Sequence, residues 1–260
     1  MSISLNFTTV TELSGDAVSA EQVDRMAHRY YWAAEYCRNK DVLEVACGTG
    51  QGLGYLASVA RSVRAGDITA SLVSQAQKYY GDRVCITEMD AHQLPFESNS
   101  FDVIILFEAI YYLASAEQFV DECQRVLRFG GTVLIATANK DLYDFNPSPF
   151  SHCYYGVVEL AQLFRTRNFT PEVFGYMSIG ALSFRQRVLR PIKKLVVGLS
   201  LMPKTMAGKK LLKHLVFGKL VSMPSEITEH TASYVPPLQI SFEQPNKSFK
   251  AIYCAATLDV

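Results

Sequence analysis

The chain has 260 residues, 49% of them hydrophobic, which is enough for one large α/β domain. Its 25 basic and 25 acidic residues give a formal net charge of zero, so there is no whole-molecule attraction to nucleic acid. The cysteines show no C-x-x-C spacing, which disfavours a zinc site and favours free thiols in a reducing cytoplasm. Residues 1–16 lack a signal-peptide pattern, and no apolar run reaches the roughly 18 residues that span a membrane.

Strand-like and helix-like patterns alternate along the chain, beginning with a helix at 21–38. Strands are predicted at 41–46, 62–67, 83–87, 101–107, 132–138, 169–176 and 250–258. Further helices are predicted at 52–61, 70–80, 117–127 and 157–167. This alternation predicts βαβ units in a doubly wound, mostly parallel sheet.

One segment differs from the rest in its charge. Between Glu172 and Glu226 there are ten Lys and Arg residues and no acidic residue, interleaved with apolar residues. The segment is either a cap whose charges bind a phosphate or carboxylate, a surface helix that contacts anionic membrane, or a solvated cap. We expect a single domain over 1–260, with an N-terminal helical segment at 1–40 and a basic helical cap insertion at 181–224.

A glycine-rich turn follows the first predicted strand. Gly48 and Gly50 lie directly after the strand, where the missing Cβ atoms let a ligand approach the backbone. Asp67 ends the next strand, a position from which a carboxylate binds both hydroxyls of a ribose. Glu44, inside the first strand, suits a cofactor with an amino-acid end.

A nicotinamide cofactor is the competing interpretation of this turn. The dinucleotide fingerprint G-x-G-x-x-G/A fails when it is started at Gly48, because its last position holds Leu53. It fits at Gly52-x-Gly54-x-x-Ala57, but that stretch starts six residues after the strand ends and would fall inside a helix. The turn therefore favours S-adenosylmethionine. A dinucleotide-dependent oxidoreductase and a non-catalytic cofactor-binding module remain alternatives.

Several motifs between residues 28 and 176 resemble, in order, those of class I S-adenosylmethionine-dependent methyltransferases of the ubiquinone-biosynthesis and glycan-cluster groups. They are His28-Arg-Tyr30, Val42-Leu-Glu-Val-Ala-Cys-Gly-Thr-Gly50, Gly66-Asp-Ile68, Asp90-Ala91 before Leu94-Pro-Phe96, Ser100-Phe-Asp-Val-Ile-Ile-Leu-Phe107 and Arg125-Val-Leu-Arg-Phe-Gly-Gly131. The resemblance implies a seven-stranded sheet with an antiparallel last strand, and S-adenosylmethionine as the cofactor.

The resemblance also implies which residues hold the cofactor. They are Tyr30, Glu44, Ala46, Gly48, Gly50, Asp67, Ile68, Asp90, Ala91 and Phe107. Glu44 and the glycines would line the methionine end, and Asp67 would hold the ribose. Ile68 would pack on the adenine, and Asp90 would bind its amino group. No metal ligand set is predicted.

The candidate catalytic residues are Glu108, Tyr112 and His152, which follow the fourth and fifth strands of the predicted sheet. The group often carries F-E-V-I-E-H after the fourth strand, whereas this chain has Phe107-Glu-Ala-Ile-Tyr-Tyr112, so a tyrosine replaces the possible histidine base. Glu108 is alternatively a salt-bridged residue, Tyr112 a wall residue and His152 a surface residue.

The absence of two motifs narrows the substrate class. There is no N-P-P-Y-like motif after the fourth strand, which disfavours methylation of nucleic-acid bases. Glu108 stands there without the second glutamate that protein arginine methylation requires. We expect methyl transfer to an oxygen, rather than to a nitrogen or carbon, of a small molecule, a sugar or glycan intermediate, or a natural-product precursor that includes peptide-derived compounds.

Overall fold

The computed structural model describes residues 7–148, 150–181 and 220–259. Its helices are α1 (Ala20–Cys37), α2 (Leu53–Ala57), α3 (Ala70–Tyr80), α4 (Ala116–Val126) and α5 (Val157–Arg165). Its strands are β1 (Ala17–Ser19), β2 (Asp41–Val45), β3 (Ser62–Asp67), β4 (Cys85–Glu88), β5 (Phe101–Phe107), β6 (Leu127–Ala138), β7 (Phe169–Ser178), β8 (Leu220–Ser222), β9 (Leu238–Gln239) and β10 (Phe249–Leu258).

The main sheet has the order β4-β3-β2-β5-β6-β10-β7-β9. The first five strands in this order, β4, β3, β2, β5 and β6, pair in parallel. Strand β10 lies between β6 and β7 and is antiparallel to both. The predicted α/β sheet with an antiparallel last strand is therefore confirmed. The two-residue strand β9 adds an eighth strand at the edge, and β1 pairs with β8 in a separate ribbon.

Local sequence explains where the main elements begin. Ser19 caps α1, since its hydroxyl accepts a hydrogen bond from the Gln22 N–H while the Gln22 side chain accepts one from the Ser19 N–H. The glycine pair at 130–131, which precedes the strand predicted at 132–138, lies inside β6. Gly130 has a φ of +73°, so the strand bends there without ending.

Apolar side chains cover both faces of the sheet. On one face Trp32 of α1 packs against Tyr253 and Phe174, with ring centroids 4.9 and 6.0 Å away. On the other face α4 and α5 bury Phe119 and Phe164 completely. The docking of α1 against the sheet places its middle turns beside the carboxyl end of β2.

The strand order reverses at β2, which has β3 on one side and β5 on the other. Open α/β sheets bind ligands at such a switch point, beyond the carboxyl ends of the strands. The residues that follow β2 and β5 there, Ala46 and Glu108, both have positive φ, at 57° and 52°. Left-handed non-glycine residues are strained and concentrate at functional sites.

The predicted basic cap at 181–224 lies mostly outside the described residues, which omit 182–219. Its described end forms β8, which pairs antiparallel with β1. Among the residues that the structure describes, no helix has both the length and the apolar character needed to cross a membrane.

The buried aromatic residue of α4 gives a stability prediction. We expect Phe119→Ala to lower the free energy of unfolding by about 3–5 kcal/mol, because the side chain is fully buried and its loss leaves a cavity. Phe129→Ala is the matched control: Phe129 is 75% exposed, so a change within about 0.5 kcal/mol is expected. Urea unfolding measures both. Equal losses in the two variants would contradict the described core.

Candidate active site

A cavity of roughly 260 Å³ lies at the carboxyl ends of β2, β3 and β5. It brings together every predicted site residue except Gly50. Its lining includes Tyr30, Glu44, Ala46, Gly48, Asp67, Ile68, Asp90, Ala91, Phe107, Glu108, Tyr112 and His152. Residues from six separate stretches of sequence thus meet in one place.

The glycine turn and Asp67 form one hydrogen-bonded unit. Asp67 Oδ2 accepts a hydrogen bond from the Gly48 N–H at 3.0 Å, and Oδ1 accepts one from the Thr69 N–H at 2.8 Å. Burial raises the pKa of this carboxyl group. Gly50 does not line the cavity. Its carbonyl accepts a hydrogen bond from the Tyr80 hydroxyl at 2.6 Å. Gly50 therefore shapes the turn, whereas Gly48 and Asp67 face the ligand space.

Glu44 is a buried carboxylate with one occupied oxygen. The Tyr30 hydroxyl donates a hydrogen bond to Oε1 at 2.6 Å. Oε2 is buried and has no partner among the described residues. Burial raises the pKa of Glu44 to about 7. An ammonium group placed at Oε2 would relieve this desolvation. The site therefore fits the amino-acid end of S-adenosylmethionine.

The opposite end of the cavity suits an adenine. Asp90 Oδ1 accepts hydrogen bonds from the N–H of His92 at 2.9 Å and from its Nδ1 at 2.7 Å. The Nε2 atom of His92 accepts a hydrogen bond from the Ser115 N–H at 3.2 Å, so the ring proton lies on Nδ1. His92 thereby orients Asp90 beside Ile68 and Ala91, which supply apolar contact area.

Glu108 follows β5 directly and lines the cavity. Its Oε2 accepts a hydrogen bond from the Tyr111 hydroxyl at 3.1 Å, and its Oε1 lies 3.8 Å from Nη1 of Arg29. Oε1 accepts no hydrogen bond from the described residues, and the side chain is 21% exposed. Glu108 is therefore an ion-paired residue of the cavity lining whose Oε1 atom has room for a hydrogen bond.

Tyr112 and His152 occupy the mouth of the cavity. The Tyr112 hydroxyl lies 2.5 Å from Ser148 Oγ, and burial raises its pKa, so the phenol keeps its proton at neutral pH. This protonation state suits a wall or donor residue and not a base. His152 is exposed and donates its backbone N–H to the Tyr111 carbonyl at 2.7 Å.

An N-terminal strap, residues 7–12, covers part of the cavity and was not predicted from the sequence. The Phe7 N–H donates to Thr69 Oγ1 at 3.3 Å, and the Phe7 ring lies 5.3 Å from that of Tyr112. Gln51 Nε2 donates to the Glu12 carbonyl at 2.7 Å. No motif marks the strap. Also missed were His92, Arg25 and Arg29, although Arg29 stands inside the quoted His28-Arg-Tyr30 motif.

The glycines of the alternative dinucleotide fingerprint have a packing role. Gly52 begins α2, and a Cβ atom there would collide with the Tyr30 ring. A Cβ atom on Gly54 would collide with the carboxylate of Glu226. Neither glycine lines the cavity, so these positions do not form a pyrophosphate cradle at the strand end.

Comparison with known proteins shows what kind of domain contains this cavity. Residues 43–135 match the methyltransferase domain family, a stretch that runs from β2 into β6. Within this stretch the chain carries a methyltransferase domain. The resemblance found in the sequence, and with it S-adenosylmethionine as the cofactor, is confirmed, while the subgroup stays a prediction.

Two relatives and one solved structure illustrate the similarity. A probable S-adenosylmethionine-dependent methyltransferase of Mycolicibacterium smegmatis is 36% identical over 57% of this chain and 56% of its own. The ubiquinone/menaquinone biosynthesis C-methyltransferase of Hahella chejuensis is 30% identical over 42% and 51%. The YcgJ protein of Bacillus subtilis shares the fold with a TM-score of 0.59 and 15% identity, over 90% and 99% of the two chains. The chain spans about half the length of the curated relatives it matches.

The buried carboxylate predicts a pH dependence of stability. The pKa of Glu44 is raised from 4.5 to about 7, so between these values the folded protein retains a proton that the unfolded chain has lost. The free energy of unfolding of the wild type should therefore fall, relative to that of Glu44→Gln, as pH rises from 4.5 to 7. The difference should be of order 3 kcal/mol across the window.

Urea unfolding at a series of pH values measures this difference. Glu97→Gln, at an exposed position, is the matched control and should follow the wild type throughout. Parallel curves for the wild type and Glu44→Gln would show that Glu44 titrates normally and is not desolvated.

Proposed function

We propose that this chain is an enzyme that transfers the methyl group of S-adenosylmethionine to a hydroxyl oxygen of a small molecule. The acceptor classes are a sugar or glycan intermediate and a natural-product precursor, including peptide-derived compounds. The observation that carries the proposal is Oε1 of Glu108, which accepts no hydrogen bond from the described residues and belongs to a side chain that lines the same cavity as Glu44 and Asp67. A general base is useful for a hydroxyl nucleophile and dispensable for a carboxylate or a neutral amine.

The cofactor supplies a sulfonium-bound methyl group that is already activated for transfer. Glu44 pairs with the ammonium group, Asp67 binds the ribose hydroxyls, and Ile68 and Asp90 hold the adenine. These contacts fix the methyl carbon in one position, so much of the rate gain comes from alignment of the acceptor oxygen. The Tyr30 ring and the strap at 7–12 keep water away from the reacting atoms.

Glu108 acts as the base. Its Oε1 atom accepts the hydroxyl proton as the acceptor oxygen bonds to the methyl carbon, and the electron pair of the broken carbon–sulfur bond stays on sulfur. The hydrogen bond from Tyr111 fixes the rotamer of the carboxylate. Arg29 lies 3.8 Å from Oε1 as the ion-pair partner of this carboxylate.

Tyr112 and His152 contact the acceptor without serving as the base. Tyr112 is a neutral phenol, so it donates a hydrogen bond or forms the wall of the acceptor pocket. His152 lies at the exposed mouth, where it contacts the part of the acceptor that remains in solvent. Both roles affect binding of the acceptor more than the methyl-transfer step itself.

Substitution of Glu108 should separate chemistry from cofactor binding. We expect Glu108→Gln to lower kcat by about 10²–10⁴-fold, since the amide cannot accept the proton. Binding of S-adenosylhomocysteine should change less than threefold, roughly, because Glu108 does not hold the cofactor. The assay follows radiolabelled methyl transfer from S-adenosylmethionine to a panel of hydroxylated sugars, phenols and hydroxy acids, with product analysis by mass spectrometry.

Two control variants make the test specific. Tyr112→Phe should raise KM with a smaller effect on kcat, as expected of a wall residue. Glu97→Gln, outside the cavity, should behave as the wild type. Full activity of Glu108→Gln, or a product methylated on nitrogen or carbon, would contradict the proposed reaction. Cofactor binding without transfer to any acceptor class would favour the non-catalytic alternative.

A further inference from the structure

Two arginines on α1 line the cavity without a hydrogen bond to the part of the chain that the structure describes. Arg25 and Arg29 lie one helical turn apart, so their side chains share a face of the helix. They are 34% and 12% exposed. The half-buried Arg125 and Arg128 each donate several hydrogen bonds. Within the described ranges, Arg25 and Arg29 donate none.

Their ion-pair partners are distant and already engaged. Nη1 of Arg29 lies 3.8 Å from Glu108 Oε1, and the other oxygen of that carboxylate binds Tyr111. Nη2 of Arg25 lies 4.0 Å from Glu12 Oε1, an atom that already accepts a hydrogen bond from Gln22 at 2.8 Å.

The Nε atoms of both arginines are buried without a partner among the described residues. Unsatisfied buried donors of a cation are costly to the folded protein. An oxyanion that binds the two guanidinium groups from the cavity would offset part of this cost.

We propose that Arg25 and Arg29 bind an oxyanion of the methyl acceptor, a carboxylate or phosphate group. A guanidinium presents its donors as a planar fork that matches both groups. The inference rests on the proposed function and adds the charge of the substrate to it. Since Arg29 is the ion-pair partner of Glu108, an anion held there places the rest of the acceptor beside the base.

The shared arginine also couples binding to the chemistry. An oxyanion on Arg29 takes over part of the positive charge that now faces Glu108. One guanidinium then contacts both the base and the anionic group of the acceptor, which positions the acceptor relative to Glu108. An acceptor without the anionic group would lose both the docking contact and this effect.

The experiment uses calorimetric titration of the full chain with inorganic phosphate in one arm and acetate in the other, at fixed ionic strength. Each titration is done with and without saturating S-adenosylhomocysteine, so that the cofactor site is filled in half of them. We expect at least one anion to bind the loaded protein. Arg25→Gln and Arg29→Gln should each weaken anion binding at least tenfold. Arg25→Lys and Arg29→Lys, which keep the charge, should weaken it less. Arg64→Gln, at an exposed position outside the cavity, should have no effect.

Comparison of the two anions shows whether the acceptor group is a phosphate or a carboxylate. Tighter binding of phosphate points to a phosphorylated acceptor, and tighter binding of acetate to a carboxylate. Anion binding that is absent, or unchanged in both glutamine variants, overturns the proposal. So does loss of S-adenosylhomocysteine binding in the variants, because the arginines would then hold the cofactor's own carboxylate. If the wild type binds anions through these arginines but not S-adenosylhomocysteine, the proposed function fails and the anion site stands.

Discussion

The hydrogen bond from the Tyr30 hydroxyl to Glu44 Oε1 joins helix α1 to the first parallel strand at the floor of the cavity. Several other features follow from it. The Tyr30 ring occupies the space where a side chain at position 52 would lie, so glycine is required there. The second oxygen of Glu44 stays buried and has no partner among the residues that the structure describes, which suits a cationic ligand group. The hydrogen bond also fixes the turn of α1 from which Arg29 reaches Glu108.

The charges around the cavity divide it into two functional parts. Glu44, Asp67 and Asp90 line the part that fits the cofactor, and each keeps a polar contact suited to a different portion of it. Arg29 and Glu108 lie where the acceptor is proposed to bind. Such a division lets one fold keep its cofactor while its acceptor changes, which is why the fold by itself does not name the substrate.

The sequence predicted those parts of the site that depend on short spacing. Gly48 could be found because it follows the apolar strand β2, and Asp67 because it ends the next strand, since parallel strands end at one edge. The strap at 7–12 could not be found, because its contact from Phe7 to Thr69 joins positions far apart in the chain. The protonated state of Tyr112 likewise depends on burial, which the sequence does not reveal.

Calorimetric titration with S-adenosylhomocysteine tests the central claim most directly, with the wild type beside Asp67→Asn and the exposed control Asp82→Asn. We predict that the wild type and the control bind equally and that Asp67→Asn binds at least tenfold more weakly, because the amide cannot accept from both ribose hydroxyls and the Gly48 N–H. Nicotinamide dinucleotide should give no heat of binding. A folded wild type that fails to bind S-adenosylhomocysteine, or binding that is unchanged in Asp67→Asn, would contradict the account.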